Sequence, residues 1–132
     1  MSVDGLDTAQ IRPVATVDDG QANQFAWGSI QWLANEVMMP GSTITFGFVQ
    51  IAPGMKNPKH IHPTSDEVLY LLEGALDHSL GDEVFAIRPG MSIHIPAGVA
   101  HDAINRSGQT ARMVVAYSTG DRQTVFCEDG EE

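Results

Sequence analysis

A chain of 132 residues with an ordinary apolar fraction is the size of one domain, and it can bury a core without disulfide staples. Its formal charge of −10 repels nucleic-acid phosphates and anionic membranes alike, so neither is expected as a partner. Cys127 is the only cysteine, which rules out an intramolecular disulfide. No basic-then-apolar leader and no apolar run of spanning length is visible, so a cytoplasmic protein is the expectation.

In chain order, residues 1–20 read as an N-terminal arm without a core of its own. Short runs rich in Val, Ile and Phe then alternate with Gly, Pro, Asn and Asp. The predicted strands are Phe25–Leu33, Thr43–Ile51, His60–His62, Glu67–Glu73, Leu76–Leu80, Glu83–Ile87, Ser92–Ile95, His101–Asn105 and Met113–Ser118. Turns fall at Pro40-Gly41, Pro53-Gly54, Gly81-Asp82, Pro89-Gly90, Pro96–Gly98 and Ser107-Gly108. Residues 121–132, ending in Glu128, Asp129, Glu131 and Glu132, read as an acidic C-terminal tail. The pattern is all-β over 1–132, a sandwich or barrel in one domain, with no stretch of helical period long enough for a core helix.

Chemistry concentrates between these strands. On a strand, residues i and i+2 share a face, so the imidazoles of His60 and His62 can serve one metal ion. Glu67 lies at an odd offset and would point away on a straight strand. Pro63-Thr64-Ser65-Asp66 breaks the strand, and a turn there can bring the carboxylate back. His101 follows the Pro96–Gly98 turn, which could swing a further strand across the same place.

These positions resemble the two motifs of the cupin family. The first family pattern, G-x5-H-x-H-x3–4-E-x6-G, is met by Gly54, His60, His62, Glu67 and Gly74. The second, G-x5-P-x-G-x2-H-x3-N, is met by Gly90, Pro96, Gly98, His101 and Asn105. Ten fixed residues in register make chance agreement negligible. The resemblance implies a double-stranded β-helix, the jelly-roll cupin barrel, with His60, His62, Glu67 and His101 holding one divalent transition metal. Imidazole and carboxylate together suit Fe, Mn, Ni, Co, Cu or Zn without choosing among them. Four protein ligands in an octahedral sphere leave open positions, the mark of a reactive site.

The stretch around Asn57 also resembles germin, the plant oxalate oxidase, in which an asparagine there helps hold substrate. The same Asn57 reads equally well as a turn residue before Pro58. Gly47 and Ala103 stand where germin has polar residues, and no cation is evident for a small dicarboxylate. A roomier, more apolar pocket is therefore expected, lined by Asn57, Gly47, Leu69, Ala103 and Tyr117. The small-molecule substrate is then not oxalate. The leading function is a dioxygenase for an enol, catechol or dicarbonyl, with Glu67 as a base if it loosens from the metal. The alternatives are a non-redox isomerase, cyclase, lyase or decarboxylase, or a cupin that only binds a small ligand. His78 and His94 read as structural or interface residues, though His78 could lie inside the barrel. Phe46 and Phe48 fall outside the barrel, and Trp27, Ile30 and Trp32 are read as adding to that outer apolar surface. Together they suggest a homodimer.

Overall fold

The computed structural model describes residues 2–3, 6–7, 13–19 and 22–127. Most of the expected N-terminal arm and the acidic residues 128–132 lie outside the described residues. Among those described there is no helix, and so none long and apolar enough to cross a membrane. The strands are β1 (Ser2–Val3), β2 (Leu6–Asp7), β3 (Ala22–Phe25), β4 (Gly28–Ala34), β5 (Thr45–Ile51), β6 (His60–Ile61) and β7 (Glu67–Glu73). They continue as β8 (Leu76–Leu80), β9 (Glu83–Ile87), β10 (Ser92–Ile95), β11 (Ala103–Ile104), β12 (Ala111–Tyr117) and β13 (Val125–Phe126).

One antiparallel sheet runs in the order β10-β7-β12-β5-β4-β3. The other combines β11-β8-β9 with the β13-β6 pair, joined by the bridges His60↔His101 and Lys56↔Ile104. This is the all-β, double-stranded barrel that the sequence implies. Alternation builds its core. β5 and β12 alternate strictly between buried and half-buried positions, and β7 alternates between buried and exposed ones as far as Leu71. Ile51, Leu71, Ile95 and Met113 are the largest apolar side chains fully buried on the inner face. Gly74 ends β7 with φ +89°, and a Cβ there would come within 2.8 Å of the Ala111 backbone. Only glycine fits that close approach.

Phe25–Leu33 is not one strand. It is the hairpin β3–β4, reversing at Ala26-Trp27, a place with no turn-forming residue to announce it. In the register of β4 on β5, Ile30 stands opposite Val49 and Trp32 opposite Gly47. These pairs lie on the inner face, so Ile30 is buried and Trp32 half-buried there. Trp27, in the hairpin turn, is buried and stacks on Phe25 at 4.9 Å. Trp27, Ile30 and Trp32 therefore do not add to an outer patch. That patch comes instead from Phe46 and Phe48, with Ala116 and Val114 opposite them and Val68 and Tyr70 one strand further on. The chain after β12 differs as well. Residues 121–127 do not trail away: Val125 and Phe126 pair with Ile61 and His60.

Candidate metal centre

Backbone pairing gathers the histidines. His60 and His101 form a reciprocal antiparallel pair, each N–H donating to the other's carbonyl at 3.0 and 2.9 Å. Directly opposed residues on one face bring their side chains together, and the two ring centroids lie 4.3 Å apart. His62, just past β6, places its ring 4.8 Å from His60 and 5.1 Å from His101. Its carbonyl accepts from the Gly98 N–H at 3.0 Å, which locks the Pro96–Gly98 turn beside the site. One nitrogen from each of the three rings lies within 4.8 Å of the others, and all three rings are buried. Glu67 opens β7 from the opposite sheet and is also buried. Its Oε1 stands 3.3 Å from His62 Nε2 and 3.2 Å from His101 Nε2.

Each ring is held by its other nitrogen. Nδ1 of His60 meets the Pro58 carbonyl at 2.7 Å, Nδ1 of His62 the Gln123 carbonyl at 2.9 Å, and Nδ1 of His101 the Val99 carbonyl at 2.9 Å. A carbonyl only accepts, so Nδ1 carries the proton, and in a neutral ring Nε2 is then a bare lone pair. For His62 and His101 that lone pair faces the Glu67 carboxylate, which also only accepts. Such an arrangement calls for a cation or a proton in between. His62 Nε2 is buried with no hydrogen-bond partner, a costly state that a divalent metal would relieve. The donor set and the carbonyl-anchored rings thus fit a first-row metal.

The electrostatics agree. Burial and the neighbouring His101 push His60 down to about 3, which keeps its ring neutral. Burial alone would raise Glu67. The neighbouring His101 and His62 outweigh it and hold the carboxyl well below its usual range. Burial would likewise lower His101, but its bond to Glu67 raises it. Burial and then the Glu67 charge push the Tyr117 phenol up, so that it stays a hydroxyl.

A narrow cavity opens beside these groups, with about 30 Å³ accessible to water-sized molecules, on the order of two waters. Asn57, Leu69, Ala103 and Tyr117 line it. Asn57 is also structural: its Oδ1 accepts from the Ala103 N–H at 2.8 Å. Gly47 is absent from the cavity wall. It does face inward, but a Cβ there would lie 2.9 Å from Trp32 Cε3 and Cζ3, so the indole has taken the room that a small residue was expected to leave. Asn105 acts away from the site. Its amide donates to the carbonyls of Ile51 and Gln109 at 2.9 and 2.8 Å, tying the 105–109 turn to β5.

Two contributors escaped sequence reasoning, Gln123 and Arg122, and a third, His78, reads there only as a residue that could lie inside the barrel. His78 lines the cavity and stacks on His101 at 5.8 Å with an interplanar angle of 10°. The signal was its parity on Leu76–Leu80, whose inward positions are Leu76, His78 and Leu80. Gln123 acts through its carbonyl, which no side-chain motif can reveal. Arg122 lines the cavity from the segment read as a tail.

Comparison with known proteins places this geometry. Residues 47–117 match the family profile described as a cupin domain. The polyketide synthase CurC of Streptomyces cyaneus is 30% identical over 110 residues, which cover 83% of this chain and 71% of that protein. Oxalate oxidase GF-2.8 of Triticum aestivum is 30% identical over 91 residues, 63% of this chain but only 41% of the enzyme. The oxalate decarboxylase of Bacillus subtilis, a structure described for its Mn(II) centres, superposes with a TM-score of 0.78 at 16% identity. That match covers 84% of this chain and 31% of the decarboxylase, and it speaks for the fold alone. With a family profile spanning most of the barrel and both motifs folded around one point, the chain belongs to the cupin family.

Proposed function

We propose that the chain is a metal-dependent dioxygenase acting on a small organic substrate of the enol, catechol or dicarbonyl type. The observation that carries the metal reading is the opposition of bare Nε2 lone pairs and a carboxylate in a buried site. His60, His62, His101 and Glu67 would hold the ion. The Mn(II) centres named for the Bacillus subtilis decarboxylase support a first-row metal without selecting one. Such a metal, when bound, polarises a substrate oxygen and, if redox-active, supplies electrons to dioxygen.

The chain's own residues do the rest. The carbonyl-anchored rings fix the donor geometry in advance. Tyr117, kept as a hydroxyl by burial and the nearby Glu67 charge, lines the cavity beside that carboxylate. Glu67 would be placed to take the acidic proton of an enol or 1,3-dicarbonyl if it loosened from the ion. Leu69, Met113 and Val115 keep bulk water from the reacting group.

A second reading, a non-redox cyclase, isomerase, lyase or decarboxylase, draws support from the similarity to a polyketide synthase component. Oxygen uptake separates the two. Protein loaded with Fe(II) or Mn(II) and given acetylacetone or a flavonol is expected to consume oxygen in step with substrate loss. Turnover with zinc under anaerobic conditions would replace the first reading with the second. Failure of the parent protein to bind any first-row metal would overturn both.

The outer sheet face of Phe46, Phe48, Val68 and Tyr70 supports a homodimer as part of this reading. Light scattering at micromolar concentration is expected to give twice the mass of one chain, and Phe48→Asp to give one. A parent protein that scatters as a monomer would remove the dimer.

A further inference from the structure

Two of the four donors hang on one short turn. Residues 97–99 lie between β10 and His101. The Gly98 N–H donates to the His62 carbonyl at 3.0 Å, and the Val99 carbonyl accepts from Nδ1 of His101 at 2.9 Å. The turn thus carries His62 by its backbone and His101 by its ring. Glu67 reaches the same place from β7. That strand pairs with β10 in a ladder whose last rung sets Ile95 opposite Glu67. Past that rung comes Pro96, which has no N–H with which to continue the ladder.

The Asp66 carboxylate extends the connection beyond the ladder. Its Oδ1 accepts from the Ala97 N–H at 3.1 Å. Its base is fixed too: the Asp66 N–H donates to Ser118 Oγ at 2.9 Å, and the Asp66 carbonyl accepts from the Ser118 N–H at 3.2 Å. The residue next to Glu67 is therefore tied to the turn on one side and to the chain just past β12 on the other. The carboxylate itself is exposed and is not part of the cavity wall. Its Oδ2 meets His94 at 3.0 Å, a contact between exposed side chains and so worth little. The bond to Ala97 differs, because it joins two segments that both carry metal donors, and an ionised acceptor strengthens it.

We propose that Asp66 is a positioning residue for the metal centre. By holding Ala97 it registers Glu67 against the turn that carries His62 and His101. It thereby sets the gap in which an ion sits, the 3.3 and 3.2 Å that separate Glu67 Oε1 from Nε2 of His62 and His101. Asp66 does this through its neighbours and touches no ligand of the ion itself. The assignment deepens the metal reading above and rests on it, but not on whether dioxygen takes part.

Cobalt(II) serves as the probe, because its visible absorption follows the geometry of its donors. Asp66→Ala is expected to bind cobalt about ten-fold more weakly than the parent, the lower end of what indirect partners of ligands cost, and with a shifted absorption band. Asp66→Asn loses the charge but keeps an oxygen for Ala97, so affinity and band should return to the parent's. A carboxylate that merely stabilised the fold would lower the urea midpoint and leave affinity and band alone. Asp66→Ser, whose hydroxyl falls short of Ala97, carries the test if Asp66→Ala loses its circular dichroism spectrum. Parent-level affinity in the folded Ala or Ser variant, or a loss in Asp66→Asn as deep as theirs, would overturn the assignment. A parent that binds no cobalt would defeat the metal reading instead. The imidazole nitrogen resonances of His62 and His101 in the metal-free protein would then decide the role of Asp66. They are expected to move in Asp66→Ala and to hold in Asp66→Asn, and resonances unmoved in both would overturn it.

Discussion

The barrel and the segment 120–127 supply the same site by different means. The barrel places His60 and His101 by reciprocal backbone hydrogen bonds and Glu67 by the start of a long strand. Their positions follow from sheet register, and sheet register is stiff. The later segment makes only a two-residue strand and meets the site through one carbonyl, one guanidinium and one hydroxyl near His62. The lesson is a division of labour. Donors that must converge to a fraction of an ångström come from paired strands. The irregular chain adds contacts around them and can vary without disturbing the sheet.

The largest effect expected is on the barrel side. His62→Ala removes one donor while the sheets keep their pairing, because His62 lies just beyond β6 and, of the buried core, its ring stacks edge-on only against Tyr117 among the aromatic contacts. Manganese or zinc affinity is expected to fall by at least about a hundred-fold, since even indirect partners of ligands commonly cost ten- to a hundred-fold. Circular dichroism should stay that of a folded barrel. His94→Ala is the matched control. His94 is exposed and bonds Asp66 across the surface at 3.0 Å, so its loss should leave metal stoichiometry unchanged. Equal losses in the two variants would break the distinction between buried donors and surface histidines.

How much of this was legible depends on what kind of signal each part sends. Two cupin motifs carry their ligands at fixed offsets inside short turns, so His60, His62, Glu67 and His101 could be named from spacing and resemblance. Gly74, Gly90 and Gly98 announce the turns between them because each sits at positive φ. The inner positions of β5, β7 and β12 follow from strict alternation. The hairpin at Ala26-Trp27 was not legible, because no glycine, proline or asparagine marks the reversal until Gly28. Arg122 was hidden for a different reason. Gly120-Asp121-Arg122-Gln123-Thr124 has no apolar alternation, and an acidic end to the chain reads as solvated. Only the packing of Trp32 and Tyr117 reveals that an arginine is held there.

The smallest effect tests where barrel and segment touch. Gly47 sits on the inner face of β5, and its small size suggests open space for substrate. The structure fills that space with Trp32, the ring on which Arg122 stacks. Adding a methyl group at this position would push the new Cβ to 2.9 Å from two ring carbons. The indole must tilt, and it is not free to do so cheaply, since Arg122 and Tyr117 lie against it. Gly47→Ala is therefore expected to lower stability by about 1 kcal/mol, in the range of a one-methyl overpacking. Urea denaturation would show this as a lower midpoint at unchanged slope. Manganese stoichiometry should stay at the parent level, because none of the three histidines touches the ring. If Gly47 instead formed part of the cavity floor, the outcome would invert: the midpoint would hold, and acetylacetone binding would weaken as the floor rose. Measuring both on one variant decides whether the room at Gly47 belongs to the substrate or to the tryptophan that steadies Arg122.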